Sequence, residues 1–229
     1  MSLVLKVSNI SKSYNGKLVL KDCSYCFDMG GIYVLMGANG SGKSTFLRIC
    51  ALLEEPDRGE VNYLSRGKGS PKNPMIFGGN SSVIKKDINL RRRITLVLPG
   101  IGIFNTTVFN NVAYGLRIRG LKSREIRDRV DRVLDFVGLA HKRNQNALTL
   151  SSGEMQRLGI ARAIVIEPEI LFLDEPTASV DKENTEIIER IILDMKSVSP
   201  IIITTHDMTQ AERLADSILT MSEGRITRA

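Results

Sequence analysis

Residues 32–53 read IYVLM-GANGSGKST-FLRICALL: a dense apolar run (32–36), a glycine-rich turn (37–45) and a stretch with helical spacing (46–53). The order strand, glycine loop, helix is the order a phosphate-binding loop requires. Gly37, Gly40 and Gly42 let the backbone curl so that successive N–H groups point inward at phosphate oxygens. The helix start that follows adds a favourable dipole. Lys43 is placed to reach the β- and γ-phosphates, and the Ser44 hydroxyl to ligate Mg²⁺. The whole loop, Gly37, Ala38, Asn39, Gly40, Ser41, Gly42, Lys43, Ser44 and Thr45, is the candidate nucleotide cradle. At average residue usage the pattern GxxxxGK[ST] arises by chance in roughly one chain of this length in a hundred.

Three further apolar runs have the same character: ITLVL (94–98), ILFL (170–173) and IIITT (201–205). Such runs suit strands of a parallel sheet covered on both faces, and ligands of open parallel sheets collect at the carboxyl ends of the strands. ILFL ends in Asp174-Glu175 and IIITT in His206-Asp207. Beside a Mg-nucleotide loop, Asp174 would hold the metal or its water, and Glu175 would orient and polarise the attacking water. His206 would hydrogen-bond the γ-phosphate or Glu175. Tyr14, just before the Asn15-Gly16 hairpin turn, is placed to stack on the adenine of ATP.

A second turn of the same physical kind lies at LSSGEMQR (150–157). Ser151 and Glu154 have capping-box spacing, and Ser152 and Gly153 complete a helix start whose N–H groups and hydroxyls can meet an anion. Two phosphate-facing helix starts suggest two jaws. In a head-to-tail pair, each chain's second loop would cover the nucleotide in the other's first.

The 229 residues suit one large α/β domain with an inserted subdomain. The first 30 alternate like antiparallel strands, and roughly 105–166 is helical, with REIRDRVDRVLDFVGL carrying apolar residues at Ile126, Val130, Val133, Leu134 and Val137. Residues 65–80 read as a surface loop. No apolar run reaches the roughly 18 residues of a membrane span, and the start resembles a strand rather than a signal peptide, so a soluble, intracellular chain is expected. Net charge is +7, from 32 basic and 25 acidic residues, concentrated at Arg91-Arg92-Arg93 and between Arg117 and Arg132. In the second region acids interleave at i,i+4 spacing, as on a solvated helix face laced with ion pairs. Cys23 and Cys26, three apart on a strand, point to opposite faces and form no metal site.

Taken together, the motifs resemble the nucleotide-binding subunit of an ATP-binding cassette (ABC) transporter over essentially the full chain. GANGSGKST matches the Walker A loop, ILFLDEP the Walker B strand, LSSGE the signature LSGGQ, ASVD (178–181, ending in Asp181) the D-loop, and His206 the switch histidine. IFNTTVFNNVAYGLRIRG is similar to importer cassettes, most of all those for oxyanions such as tungstate or molybdate. The resemblance implies an α/β P-loop NTPase (RecA-like) core with a parallel sheet, about 1–99 and 167–229. To this it adds an N-terminal antiparallel β subdomain and an inserted helical subdomain at about 100–166. It implies ATP and Mg²⁺ as cofactors. Implied partners are a second cassette contacted in trans, an integral membrane permease and an extracytoplasmic solute-binding protein, with no nucleic acid. The location implied is the inner face of the cell membrane. The permease would dock near the loop 100–109, with Ile101, Ile103 and Phe104.

Three positions depart from the family pattern. Ser152 replaces a glycine and Glu154 a glutamine in the signature. Pro99 stands where a glutamine should contact Mg²⁺ or its water, and proline offers no side-chain donor or acceptor. Asn105 lies nearby in sequence. Two other classes are open: a soluble ABC ATPase acting on DNA or ribosomes, which would carry a long coiled coil or a second cassette, and a P-loop kinase, which leaves LSSGE and ASVD unexplained.

Overall fold

A computed structural model describes residues 3–27, 30–65, 82–100 and 102–228. Most of the surface loop expected at 65–80, and Ile101, lie outside the described residues. The described chain divides into two compact units. The first comprises 1–96, 169–174 and 196–229; the second comprises 97–168 and 175–195.

The first unit carries the sheets. Strands β1 (Leu3–Tyr14) and β2 (Lys17–Phe27) pair antiparallel about Asn15-Gly16. Both turn residues have positive φ, +49° and +76°, as a tight type I′ turn demands. β4 (Arg58–Ser65) and the short β5 (Ser82–Val83) extend this sheet in the order β2-β1-β4-β5.

The second sheet runs β10-β9-β3-β8-β7-β6. It is built from β3 (Ile32–Met36), β6 (Ile94–Val97), β7 (Ile170–Asp174), β8 (Ile201–Thr205), β9 (Ser217–Ser222) and β10 (Arg225–Arg228). β3 is parallel to both β8 and β9, and β7 is parallel to β8. β7 and β8 are buried at every residue, as their unbroken apolar runs require. Between the sheets' apolar faces one core joins β1, β3, β7 and β8 to helix α1 (Lys43–Cys50) through Leu5, Ile10, Leu35, Phe46, Leu47, Phe172 and Ile202. Arg93, before β6, forms a two-pronged ion pair with Glu169, before β7, at 2.6 and 2.9 Å. That accounts for part of the basic run at 91–93.

The second unit is helical: α3 (Val108–Ile118), α4 (Ser123–Phe136), α5 (Ser152–Ile164) and α6 (Lys182–Met195). On α4, Ile126, Val130 and Leu134 are buried, with Val137 beyond its end, while Val133 is half-buried. Of the expected i,i+4 pairs on its charged face, Arg129 bonds Glu125 at 3.0 Å; Arg129 also bonds Glu167 at 3.2 Å and Asp131 bonds Arg143 at 2.7 Å, both partners beyond the helix. Residues 175–195 group with these helices, whereas the sequence pattern placed them with the sheet. The reason is α6, which packs on α5.

Candidate functional site

β3 delivers the glycine loop at the carboxyl edge of its sheet. Gly37 lies so close to the Met221 carbonyl of β9 that an added Cβ would meet that oxygen at 2.3 Å. Gly42, at φ +106°, caps α1 without a side-chain hydrogen bond, and a Cβ there would meet Leu20 Cδ2 at 2.8 Å. No other residue fits either place. The first-turn N–H groups of a helix have no intrahelical acceptor, so the loop and α1 together form an anion-facing end. Lys43, 5% exposed, arches back and donates to the Gly37 and Ala38 carbonyls at 2.7 and 3.2 Å. Its ammonium is therefore held within the loop where phosphate charge would sit.

The parallel register brings β7 and β8 alongside. Ser44 donates to Asp174 Oδ1 at 3.0 Å, and Thr204 on β8 donates to the same oxygen at 2.6 Å. Asp174 is 1% exposed, and its Oδ2 is buried with no hydrogen-bond partner among the described residues. A buried carboxylate oxygen left so carries a desolvation cost unless a cation or its water meets it. Oxygen donors from Ser44 and Asp174 are the set that suits Mg²⁺, so the residues present fit that ion. Thr204 was not apparent from sequence, because within IIITT a threonine reads as one more β-branched strand residue.

Glu175 follows Asp174 directly, half-buried, at φ +48°. A non-glycine residue in this left-handed region is uncommon, and here it turns the chain sharply away from the end of β7. His206 follows β8 and is exposed at the same carboxyl edge that carries the glycine loop. Its neighbour Asp207 is committed to capping α7 (Met208–Leu214), accepting from Thr209 and Gln210 N–H. Tyr14, at the end of β1, is 39% exposed and donates its hydroxyl to Glu54.

In the second unit the loop LSSGE opens α5 as a complete capping box. Glu154 N–H donates to Ser151 Oγ at 3.3 Å, and Ser151 N–H to Glu154 Oε2 at 2.9 Å. The Ser151 N–H, with help from nearby Lys142, holds the Glu154 carboxyl below its ordinary 4.5. A depressed carboxyl stabilises the folded form above its ordinary pKa and loses that effect on acidification, so the cap is complete at neutral pH. Asp181 accepts from Asn184 N–H and Nδ2 at 2.9 and 2.8 Å, opening α6. The Asn184 side chain then rests on Gly153, where an added Cβ would meet Asn184 Cγ at 2.3 Å. Gly153→Ala is therefore expected to destabilise the chain by about 1–3 kcal/mol. Thermal unfolding checks this, and a second change, Asn184→Ala, should restore most of the loss.

Pro99 follows β6 and is exposed. Asn105 accepts from Asn146 Nδ2 at 2.9 Å, an engagement within the second unit. Asn111, 1% exposed, was also missed from sequence. Its Oδ1 accepts from Phe104 N–H at 3.0 Å, and its Nδ2 donates to the Phe104 and Thr107 carbonyls at 3.1 and 3.0 Å, fixing the loop that carries Phe104. Phe104 packs on Tyr114 with ring centroids 4.7 Å apart, and Arg162 lies over the Phe104 ring at 4.7 Å.

A strand, glycine loop and helix beside a buried strand-end carboxylate define a P-loop nucleoside triphosphatase. Within that class the chain belongs to the ABC transporter family: the family model described as "ABC transporter" matches residues 20–178. It is 38% identical over 227 residues to the tungstate uptake system ATP-binding protein TupC of Peptoclostridium acidaminophilum, covering 98% of this chain and 97% of that protein. It is 34% identical over 235 residues to the phosphate import ATP-binding protein PstB 2 of Natronomonas pharaonis, covering 98% and 79%. Among solved structures, CbiO1 of Clostridium perfringens, part of the ABC transporter complex CbiONQ, superposes with a TM-score of 0.81 at 29% identity, covering 99% and 88%. ATP binding and hydrolysis follow from the family.

Proposed function

We propose that the chain is the ATP-hydrolysing subunit of a membrane importer, working as a head-to-tail pair on the cytoplasmic face. The observation that carries the chemistry is the Ser44–Asp174–Thr204 cluster beside the glycine loop, with a buried oxygen of Asp174 left for a cation. Mg²⁺ bound there would neutralise phosphate charge. The glycine-loop N–H groups and Lys43 orient the triphosphate. Glu175 takes a proton from the attacking water, and His206 donates to the γ-phosphate. Ser151, Ser152 and Gly153, held by the capping box, close on the partner's nucleotide, with Asp181 beside them. Import is supported by the relatives' names, and an oxyanion cargo such as tungstate by TupC in particular.

A permease and a solute-binding protein complete such a system. The loop 100–109 is the expected docking region: Phe104 is exposed there and Ile103 half-buried, and Tyr114 and Ile118, exposed in the same unit, add apolar surface. No described helix of the chain is long and apolar enough to cross a membrane. Among the described residues, the helices between the two loops run to at most 14 residues, which gives no support to a coiled-coil nucleic-acid ATPase.

The test of the paired arrangement mixes two inactive variants, Lys43→Ala and Gly153→Ala. If the signature acts in trans, one of the two sites in the mixed pair keeps both an intact loop and an intact signature. Single-turnover hydrolysis should then reappear on mixing; no recovery in a mixture of folded variants whose solution mass shows dimers with Mg-ATP would rule out action in trans. The Pro99 departure is tested by Pro99→Gln. Supplying the glutamine that the family pattern carries at this position is expected to raise Mg²⁺ affinity and turnover about tenfold. Unchanged values would show that Pro99 costs the site nothing.

A further inference from the structure

Tyr14 is held on more than one side. Its hydroxyl donates to Glu54, in the loop that follows α1. Lys12, two residues earlier on the same face of β1, lies over the Tyr14 ring at 5.6 Å from its centre. The Lys12 ammonium is itself tied down. It donates to the Glu55 carbonyl at 2.8 Å and faces Glu54 at 3.5 Å and Asp57 at 3.3 Å. Asp57 in turn accepts from Ser13 N–H at 2.7 Å. Strand β1 and the loop at 54–57, which leaves the phosphate-loop helix, thus meet around one aromatic ring.

A half-exposed tyrosine at a strand end would otherwise sample several rotamers, and fixing one on binding carries an entropic cost. A ring already clamped at its hydroxyl, with a cation above it, meets a base without that cost. We propose that Glu54 and Lys12 are positioning residues that hold Tyr14 in the orientation in which it stacks on the nucleotide base, so that they set ATP affinity without touching the nucleotide. This rests on the reading of Tyr14 as the base-stacking residue.

The experiment measures ATP affinity and steady-state kinetics on the full chain, with inorganic tripolyphosphate as a competitor that occupies the phosphate loop but has no base. Glu54→Ala and Lys12→Met should each weaken ATP about fivefold or more, the low end of one lost stacking contact. The effect should fall on KM with kcat preserved, and tripolyphosphate affinity should not change. Glu54→Gln, which keeps an acceptor for the Tyr14 hydroxyl, should recover most of the loss. Equal weakening of ATP and tripolyphosphate would mean a general structural effect and would overturn the proposal. Tyr14→Ala separates the two readings. If it leaves ATP affinity unchanged, the base-stacking role of Tyr14 is wrong. If it weakens ATP while Glu54→Ala and Lys12→Met do not, the role stands and the clasp is wrong.

Discussion

With Glu175 replaced by Gln, the chain is expected to bind Mg-ATP normally, hydrolyse it about 10²–10⁴-fold more slowly, and accumulate as a dimer that the parent forms only transiently. The amide preserves the size and hydrogen bonding of the side chain but cannot accept a proton from water. On the proposed reading, binding and closure would use the glycine loop, Lys43 and the signature loop Ser151–Gly153 of a second copy, all intact in this variant. Only the step that reopens the pair is removed. Solution mass with and without Mg-ATP checks it. A monomer under both conditions would leave two consequences: either closure needs the permease, or the true partner is a different cassette. Wild-type turnover by the variant would remove Glu175 from the mechanism altogether.

Asp174→Asn should have an effect of comparable size through a different route. The amide oxygen can still accept from Ser44 and Thr204, so the packing of β7 on β8 survives. What disappears is the negative charge and the second carboxylate oxygen, the one left without a protein partner. Mg²⁺ affinity is expected to fall by at least about a hundredfold, with turnover following it at limiting metal. Raising Mg²⁺ should recover part of the activity, whereas it should do nothing for Glu175→Gln. A variant that loses activity at all metal concentrations while its unfolding midpoint drops would point instead to a structural role for the carboxylate.

Much of this site was visible before any coordinates. GANGSGKST and Asp174 are read from local pattern, because a glycine loop and a strand-end carboxylate advertise themselves by residue type and spacing. Thr204 does not, since its hydroxyl matters only once β8 lies beside β7, a contact between residues 30 apart in the chain. Asn111 is missed for the same reason, being one polar residue on an otherwise apolar helix face whose partners lie in the preceding loop. The hairpin of β9 and β10 turns at Glu223-Gly224, both with positive φ, and Glu-Gly is a weaker turn signal than the Asn-Gly at 15–16. The grouping of 175–195 with the helices follows from the packing of α6 on α5, of which the fit of Asn184 against Gly153 is one part and which no periodicity reports.

That same fit has a consequence for timing. Because Asn184 is bonded to Asp181 and seated on Gly153, the starts of α5 and α6 are keyed together within one unit. In a closing pair, the two elements that one chain offers to the other arrive as a single latch. In the proposed pair a partner site would then act as a coincidence detector, meeting both contacts together rather than one after the other.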